Sequence, residues 1–154
     1  MKVQIGQKAP DFTLKSTTGL KTLSDYRGKW IVLYFYPKDD TPSCTLEARG
    51  FSERIEEFDE LNAKVIGISK DSCEMHDRFI KKYELSVLLL SDPEHRVQER
   101  YGVWKEKSFM GKRFFGTIRS TLLVDPNGVI RRIWDNVRPI GHVEEVLDSL
   151  KGIK

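Results

Sequence analysis

The sequence predicts an α/β protein in which helices cover both faces of a central mixed β-sheet. Short apolar runs alternate with stretches of helical periodicity over residues 30–101, a hairpin signal follows at 120–134, and an amphipathic stretch comes last. Strand–helix–strand units produce parallel strands, whereas a hairpin adds an antiparallel one. The sheet is therefore expected to be mixed.

The first elements follow from local patterns. Residues 11–14 and 21–23 bracket the turn signal Ser16-Thr17-Thr18-Gly19, which predicts an N-terminal β-hairpin extension. The apolar run 30–36 predicts a buried strand. A helix is expected over about 42–61, because apolar residues recur there at helical spacing, namely Ala48, Phe51, Ile55 and Phe58.

The later elements are shorter, and most are bounded by turn or cap signals. In order, we expect a strand at 64–69, a helix at 72–83 capped by Asp71 or Ser72, a strand at 87–90, a helix at 95–101, a loop with strand character at 103–116, strands at 120–124 and 129–134 joined by Asp125-Pro126-Asn127-Gly128, and a final helix. Four apolar residues give the final helix its buried face: Val143, Val146, Leu147 and Leu150.

Length and composition limit the class of protein. A chain of 154 residues fits one domain spanning 1–154, and 39% apolar with 32% charged residues is typical of a globular protein with a solvated surface. The net charge of +3 is too small and too evenly spread to indicate a nucleic-acid partner. No stretch approaches the run of about 18 apolar residues that a membrane span needs. Residues 1–6 lack the apolar core of a signal peptide, so we expect a cytoplasmic protein without a membrane partner.

Cys44 is the residue that carries chemistry. It follows the predicted strand 30–36 and lies in the first turn of the next helix, with Thr41 as the N-cap and Pro42 as the first helical residue. A helix N-terminus favours negative charge, so a thiol there ionises more easily and becomes a nucleophile. Sites in such sheets form at the carboxyl ends of parallel strands, which is where Cys44 is expected. The alternative is an ordinary buried thiol.

The residues around Cys44 resemble a known family. Pro37-x-x-x-Thr41-x-x-Cys44 is similar to the peroxiredoxin signature, and Tyr36-Pro37-Lys38-Asp39 with Cys44-Thr45-x-Glu47 resembles its bacterioferritin-comigratory (Q-type) branch. The likeness covers nearly the whole chain through five further segments: Ala9-Pro10-Asp11-Phe12, Tyr101-Gly102-Val103-Trp104, Arg119-Ser120-Thr121, Asp125-Pro126-x-Gly128 and Gly141-His142-x-Glu144-Glu145-Val146.

The resemblance implies a thioredoxin-like fold and a peroxidase for hydrogen peroxide and organic hydroperoxides, acting in antioxidant defence. A peroxide would oxidise Cys44 to a sulfenate, and thioredoxin, glutaredoxin or a similar thiol reductant would restore it, with no cofactor. Resemblance to the branch favours a monomer or a weak homodimer.

The resemblance also implies roles for four residues. Cys44 would be the peroxidatic cysteine, and Arg119 would point its guanidinium at the thiolate and the peroxide, which suits a permanently charged group with forked donors. Thr41 would hold the peroxide or the sulfur through its hydroxyl, and Pro37 would shield the thiolate from water. Simpler readings stay open: Thr41 as an N-cap only, Arg119 as a surface residue, and Glu47 either orienting Arg119 or exposed on its helix.

The second cysteine, Cys73, has two readings. Q-type relatives carry their resolving cysteine at positions that hold Arg49 or lie near Ile80 here. A right-handed crossover would place Cys44 and Cys73 at one edge of the sheet. A disulfide needs Cα atoms about 4.4–6.8 Å apart, and helix starts above neighbouring strands are usually farther apart, so a bridge would require unwinding around Cys44. Cys73 is either the resolving thiol or a bystander in a one-cysteine enzyme.

Other classes fit the sequence less well. Cys73 and His76 have the spacing of a metal-binding pair, but a zinc site needs four ligands and no second pair exists, so no metal is expected. A dithiol exchanger is excluded because Thr41 stands where a Cys-x-x-Cys motif has its first cysteine. A redox sensor or holdase chaperone that keeps the fold without the chemistry predicts a degraded site. The full set of Pro37, Thr41, Cys44 and Arg119 therefore favours the enzyme.

Overall fold

A computed structural model describes residues 1–153. Their helices and strands are β1 (Thr13–Ser16), β2 (Gly19–Thr22), a 3₁₀ turn (Leu23–Tyr26), β3 (Trp30–Phe35), α1 (Pro42–Glu53), α2 (Ile55–Glu60), β4 (Ala63–Ser69), α3 (Cys73–Tyr83), β5 (Leu88–Ser91), α4 (Arg96–Tyr101), β6 (Trp104–Phe109), β7 (Lys112–Thr117), β8 (Ser120–Val124), β9 (Ile130–Trp134) and α5 (His142–Ile153).

The central sheet is mixed, as the sequence predicts. Its strands lie in the order β2-β1-β5-β4-β3-β8-β9. Strands β3, β4 and β5 are parallel to one another, whereas β1 is antiparallel to β5 and β8 is antiparallel to β3. The expected N-terminal hairpin is β1–β2, and the expected later hairpin is β8–β9. The carboxyl ends of β3 and β4 therefore lie side by side.

Helices cover both faces of this sheet. Successive residues of the fully buried strand β3 point to opposite faces, so their side chains enter two separate core clusters. Val32, Tyr34 and Tyr36 belong to one core cluster, which contains side chains from α1, α2, α3 and α5. Ile31, Leu33 and Phe35 belong to the other, which contains side chains from α4 and from the segment before β1. Cys44 lies in the first cluster, directly after β3 in the chain.

Two expected elements differ from the structure. The single helix expected over 42–61 is broken at Arg54, whose backbone (φ −104°, ψ 10°) separates α1 from α2. In an uninterrupted helix, Phe51 and Phe58 would be separated by a rise of about 10 Å along the helix axis. Their ring centroids are only 5.8 Å apart. The break brings both rings into the same core, which periodicity alone does not reveal.

The second difference is the segment 103–116, expected as a loop with strand character. It forms the antiparallel pair β6–β7, a two-stranded sheet separate from the central one. Met110 and Gly111 join the strands with φ values of 51° and 79°, the positive pair that a type I′ turn requires. A methionine is uncommon at such a φ, so the turn signal was weak.

Within residues 1–153, no helix has both the length and the apolar character needed to cross a membrane. The cytoplasmic location stays a prediction.

Candidate active site

The loop that joins β3 to α1 has the expected local structure. Thr41 is the N-cap with extended backbone (φ −99°, ψ 157°) and Pro42 is the first residue of α1, so Cys44 is the third. The Thr41 side chain does not cap the helix; its hydroxyl instead donates to the carbonyl oxygen of Lys38 at 2.8 Å. Pro37 is half-buried in the same loop. The N-cap position of Thr41 therefore comes from its backbone, and its hydroxyl oxygen keeps acceptor capacity.

Arg119 connects two groups of α1. It lies between β7 and β8, and its Nη2 donates to the sulfur of Cys44 at 3.2 Å while its Nη1 donates to Oε1 of Glu47 at 2.7 Å. The Cys44 residue is 2% exposed and the Arg119 side chain 11% exposed. A forked cation in contact with the sulfur stabilises a thiolate more than a thiol. The reading of Arg119 as a surface residue is wrong.

Glu47 is fully buried, which excludes the exposed-carboxylate reading. Burial raises the pKa of Glu47 to about 7, against the opposing effect of Arg119. Burial tends to lower the pKa of Arg119, but Glu47 and Cys44 outweigh it and the net shift is upward. Among the described residues, Oε2 of Glu47 and the hydroxyl of Tyr34 have no hydrogen-bond partner. Burial raises the pKa of Tyr34 well above its ordinary value, with Glu47 adding to the shift.

A second cation near this centre, Lys107 on β6, was not predicted from the sequence. Its Nζ donates to the carbonyl oxygen of Thr117 at 2.8 Å, two residues before Arg119. Burial lowers the pKa of Lys107, Arg119 lowers it further, and Cys44 opposes the shift. Pairing of β6 with β7 is what brings this lysine to the site, and that hairpin was not expected from the sequence.

Cys73 is the first residue of α3, after the N-cap Ser72, whose side chain accepts from the Met75 N–H at 3.2 Å. Because β4 lies beside β3, the starts of α1 and α3 share one edge of the sheet, as expected. Cys44 and Cys73 are both free thiols in this structure, and Cys73 is half-buried. A bridge between them stays a prediction. Both ring nitrogens of His76 have protein partners, which leaves neither to pair with Cys73 at a metal.

The mixed sheet, the buried cysteine at a helix start and the arginine in contact with its sulfur define a protein of cysteine-based redox chemistry. The chain belongs to the AhpC/TSA family, whose profile matches residues 5–133. It is 50% identical over 152 residues to peroxiredoxin Bcp of Bacillus subtilis, covering 98% of this chain and 97% of that protein. It is 40% identical over 150 residues to peroxiredoxin Bcp of Escherichia coli, covering 97% of this chain and 96% of that protein.

Solved structures agree with these relatives. A mutant of PrxQ from Xylella fastidiosa superposes with a TM-score of 0.93 at 38% identity, covering 99% of this chain and 98% of the other. The bacterioferritin comigratory protein of Xanthomonas campestris, described as having alkyl peroxide reduction activity, gives a TM-score of 0.87 at 39% identity, with coverage of 92% and 90%. The fold is thioredoxin-like, and the protein is a thiol peroxidase that uses a peroxide as substrate and a thiol as reductant.

Proposed function

We propose that Cys44 is the peroxidatic cysteine and that Arg119, Thr41 and Pro37 complete its catalytic site. The contact that carries this proposal is the 3.2 Å hydrogen bond from Nη2 of Arg119 to the sulfur. The same guanidinium is held by Glu47 at 2.7 Å, so its orientation is fixed before a peroxide arrives. Preorganised donors of this kind stabilise charge that moves during a reaction.

In the proposed reaction the Cys44 thiolate attacks one peroxide oxygen. A sulfur–oxygen bond forms, the oxygen–oxygen bond breaks, and the leaving oxygen takes the electron pair and a proton to become water or an alcohol. The net change converts a thiol and a hydroperoxide into a sulfenic acid and an alcohol. Arg119 stabilises the charge as it passes from sulfur to oxygen. The Thr41 hydroxyl accepts from the peroxide O–H, since its own proton is directed at Lys38.

Two further groups support this site. The N–H of Cys44 belongs to the first turn of α1, where backbone donors lack helical partners, so it is free to donate to a peroxide oxygen. Pro37, half-buried in the preceding loop and without an N–H, limits the access of water to the sulfur. The Cys44 N–H therefore adds a donor beside Arg119, and Pro37 adds an apolar wall.

The test is the rate at which hydrogen peroxide oxidises the reduced protein, measured by rapid mixing. Cys44→Ser is expected to abolish peroxide consumption, and continued turnover in that variant would overturn the assignment. Arg119→Ala is expected to slow oxidation by about 10²–10³-fold. Arg131→Ala is the matched control, because Arg131 is exposed and pairs with Asp125 instead. Equal rates for the two arginine variants would remove Arg119 from the mechanism.

Organic hydroperoxides are proposed as substrates beside hydrogen peroxide. A groove next to the start of α1 is lined by Pro42, Leu46, Pro139 and Ile140, and the last is 86% exposed. This groove offers apolar surface to an alkyl group whose peroxide end reaches Cys44. Leu46→Asp is expected to slow oxidation by cumene hydroperoxide much more than oxidation by hydrogen peroxide. Equal slowing with the two peroxides would show that the groove does not affect substrate preference.

Cys73 is proposed as the resolving thiol, with thioredoxin or glutaredoxin as the partner that reduces the resulting disulfide, and the protein is proposed to be a monomer or a weak homodimer. Intact mass after one equivalent of hydrogen peroxide tests the resolving step. Loss of two hydrogens in a monomer supports a Cys44–Cys73 bridge, and its absence in Cys73→Ser is the control. Gain of oxygen in the wild type would instead support a one-cysteine cycle with an external thiol.

A further inference from the structure

A buried pair of ionisable side chains ties the loop before α1 to helix α3. Oδ2 of Asp39 lies 2.6 Å from Nδ1 of His76, and the two side chains are 1% and 0% exposed. The other carboxylate oxygen of Asp39 accepts from the Tyr36 hydroxyl at 2.6 Å. The remaining ring nitrogen of His76, Nε2, lies 3.0 Å from the carbonyl oxygen of Leu90. Every polar atom of the pair therefore has a partner.

The chemistry of these partners fixes the protons. A carboxylate and a backbone carbonyl are acceptors, whereas a neutral imidazole has one N–H and can donate to only one of them. A neutral ring beside an ionised Asp39 would leave a bare nitrogen against an oxygen and an uncompensated buried charge, which is costly. One proton between Nδ1 and Oδ2 of Asp39, with a second on Nε2 directed at Leu90, satisfies every contact and leaves the pair without net charge. The hydrogen bonds therefore require both of these protons.

The backbone of Asp39 is held separately. Its N–H donates to Oδ2 of Asp71 at 2.8 Å, and that oxygen also accepts from the Ser69 hydroxyl at 2.7 Å at the end of β4. Within the same loop, the carbonyl oxygen of Lys38 accepts from the Thr41 hydroxyl. Asp39 is thus the buried attachment of the loop 37–41 to the neighbouring strand and helix. A second, exposed attachment to α3 is Asp40, whose carboxylate accepts from Lys82 and from the Tyr83 hydroxyl.

We propose that His76 is a positioning residue for peroxide reduction: its hydrogen bond with Asp39 fixes the loop 37–41, and through it sets Pro37, Thr41 and the first turn of α1 around the sulfur of Cys44. This inference rests on the proposed role of Cys44. His76 does not touch the sulfur or the peroxide; it acts through Asp39. Small displacements of a reacting group can cost about 10²-fold in rate, so loosening this loop is expected to slow oxidation strongly.

Two substitutions of His76 distinguish a positioning role from a role in packing alone. The amide nitrogen of asparagine can occupy the place of Nδ1, so His76→Asn retains the contact with Asp39 and loses the one with Leu90. The longer glutamine places its amide nitrogen near Nε2, so His76→Gln retains the contact with Leu90 and loses the one with Asp39. A purely structural histidine predicts similar damage from both changes. The positioning role predicts that only His76→Gln slows Cys44 oxidation, by about tenfold or more.

A pair of tyrosine variants keeps the test decisive if His76→Gln does not fold. Tyr36→Phe removes the second donor to Asp39, whereas Tyr101→Phe removes a buried hydroxyl that donates to the Pro10 carbonyl on the opposite face of the sheet. Tyr36→Phe is expected to slow oxidation several-fold more than Tyr101→Phe. Equal oxidation rates for these two variants, or for the two His76 variants, would overturn the proposal.

The hydrogen bonds of His76 have their own spectroscopic signature. The chain has three histidines, so nitrogen-15 NMR of the labelled protein can assign each ring. Nε2 of His76 is expected to carry a slowly exchanging proton directed at the Leu90 carbonyl oxygen, and its absence would overturn the hydrogen-bond assignment. The wild-type protein is first shown by mass to be oxidised at Cys44. If Cys44 of the wild type is not oxidised, the proposed function is wrong. If Cys44 is oxidised but the two His76 variants react at equal rates, only this inference is wrong.

Discussion

Glu47 offers the most quantitative prediction, because it is a buried acid whose Oε1 is paired with Arg119 while Oε2 has no partner among the described residues. The perturbation is Glu47→Gln, which keeps the shape of the side chain and removes its titration. The folded protein holds Glu47 with a pKa of about 7, raised from 4.5 by burial despite Arg119. The unfolded chain releases the same proton near the lower value.

The size and sign of the effect follow from linkage. This rise in the pKa of Glu47 means that folding favours the protonated form over the ionised form by about 3 kcal/mol. Between the two pKa values the folded protein binds a proton that the unfolded chain has lost, so the free energy of unfolding decreases as pH rises. The stabilisation is fully present below the unfolded pKa and is lost as pH rises through the folded pKa. The difference in unfolding free energy between wild type and Glu47→Gln should therefore fall by about 3 kcal/mol from about pH 4 to about pH 8.

Urea unfolding of the reduced protein at steps of pH measures this difference, because all other titrating groups are common to both proteins. Glu53→Gln is the matched control, because Glu53 is a carboxylate on the same helix that is exposed instead of buried. A constant difference for Glu47→Gln would refute the reasoning. It would mean that Arg119 cancels the effect of burial and that Glu47 stays ionised.

Three changes of packing and capping give further predictions. In Gly67→Ala the new methyl group would lie 2.7 Å from the Tyr34 ring, so the free energy of unfolding should fall by about 1–3 kcal/mol. In Gly152→Ala the space is open within α5, so urea unfolding should show a gain of up to about 1 kcal/mol, and equal effects of the two glycine changes would contradict the packing argument. Ser72→Ala removes the acceptor for the Met75 N–H and should cost about 1 kcal/mol in the same assay, whereas an unchanged midpoint would show that the cap contributes nothing.

The sequence predicted well those parts of the protein that depend on local signals. Strand β3 is an uninterrupted apolar run, and Thr41-Pro42 marks the start of α1, so the place of Cys44 at the third helical position followed without knowledge of any partner. Arg119 is different, because it is 75 residues from Cys44 in the chain. Only the resemblance to a family connected the two residues, and no periodicity or spacing rule could have done so.

The parts that could not be predicted depend on contacts between distant charged residues. Charged side chains are rarely buried unless paired, so the sequence left an exposed Glu47 open beside one that orients Arg119, and it indicated no contact for Asp39. His76 is 37 residues from Asp39, and its spacing from Cys73 even suggested a metal ligand. Lys107 needed the unexpected pairing of β6 with β7. Burial of a pair of charged residues depends on the tertiary structure, so the local sequence does not predict it.

The order of the strands explains why both buried pairs lie next to Cys44. Strand β3 lies between β4 and β8, so the cysteine that follows β3 has α3 on one side and the segment before β8 on the other. His76 comes from α3 and holds Asp39 before the helix start, whereas Arg119 precedes β8 and holds Glu47 after it. Because each pair connects α1 or its loop to a different neighbour, loss of one leaves the other attachment in place. The sulfur is therefore positioned from two independent sides, which a helix start on the edge strand of a sheet could not provide.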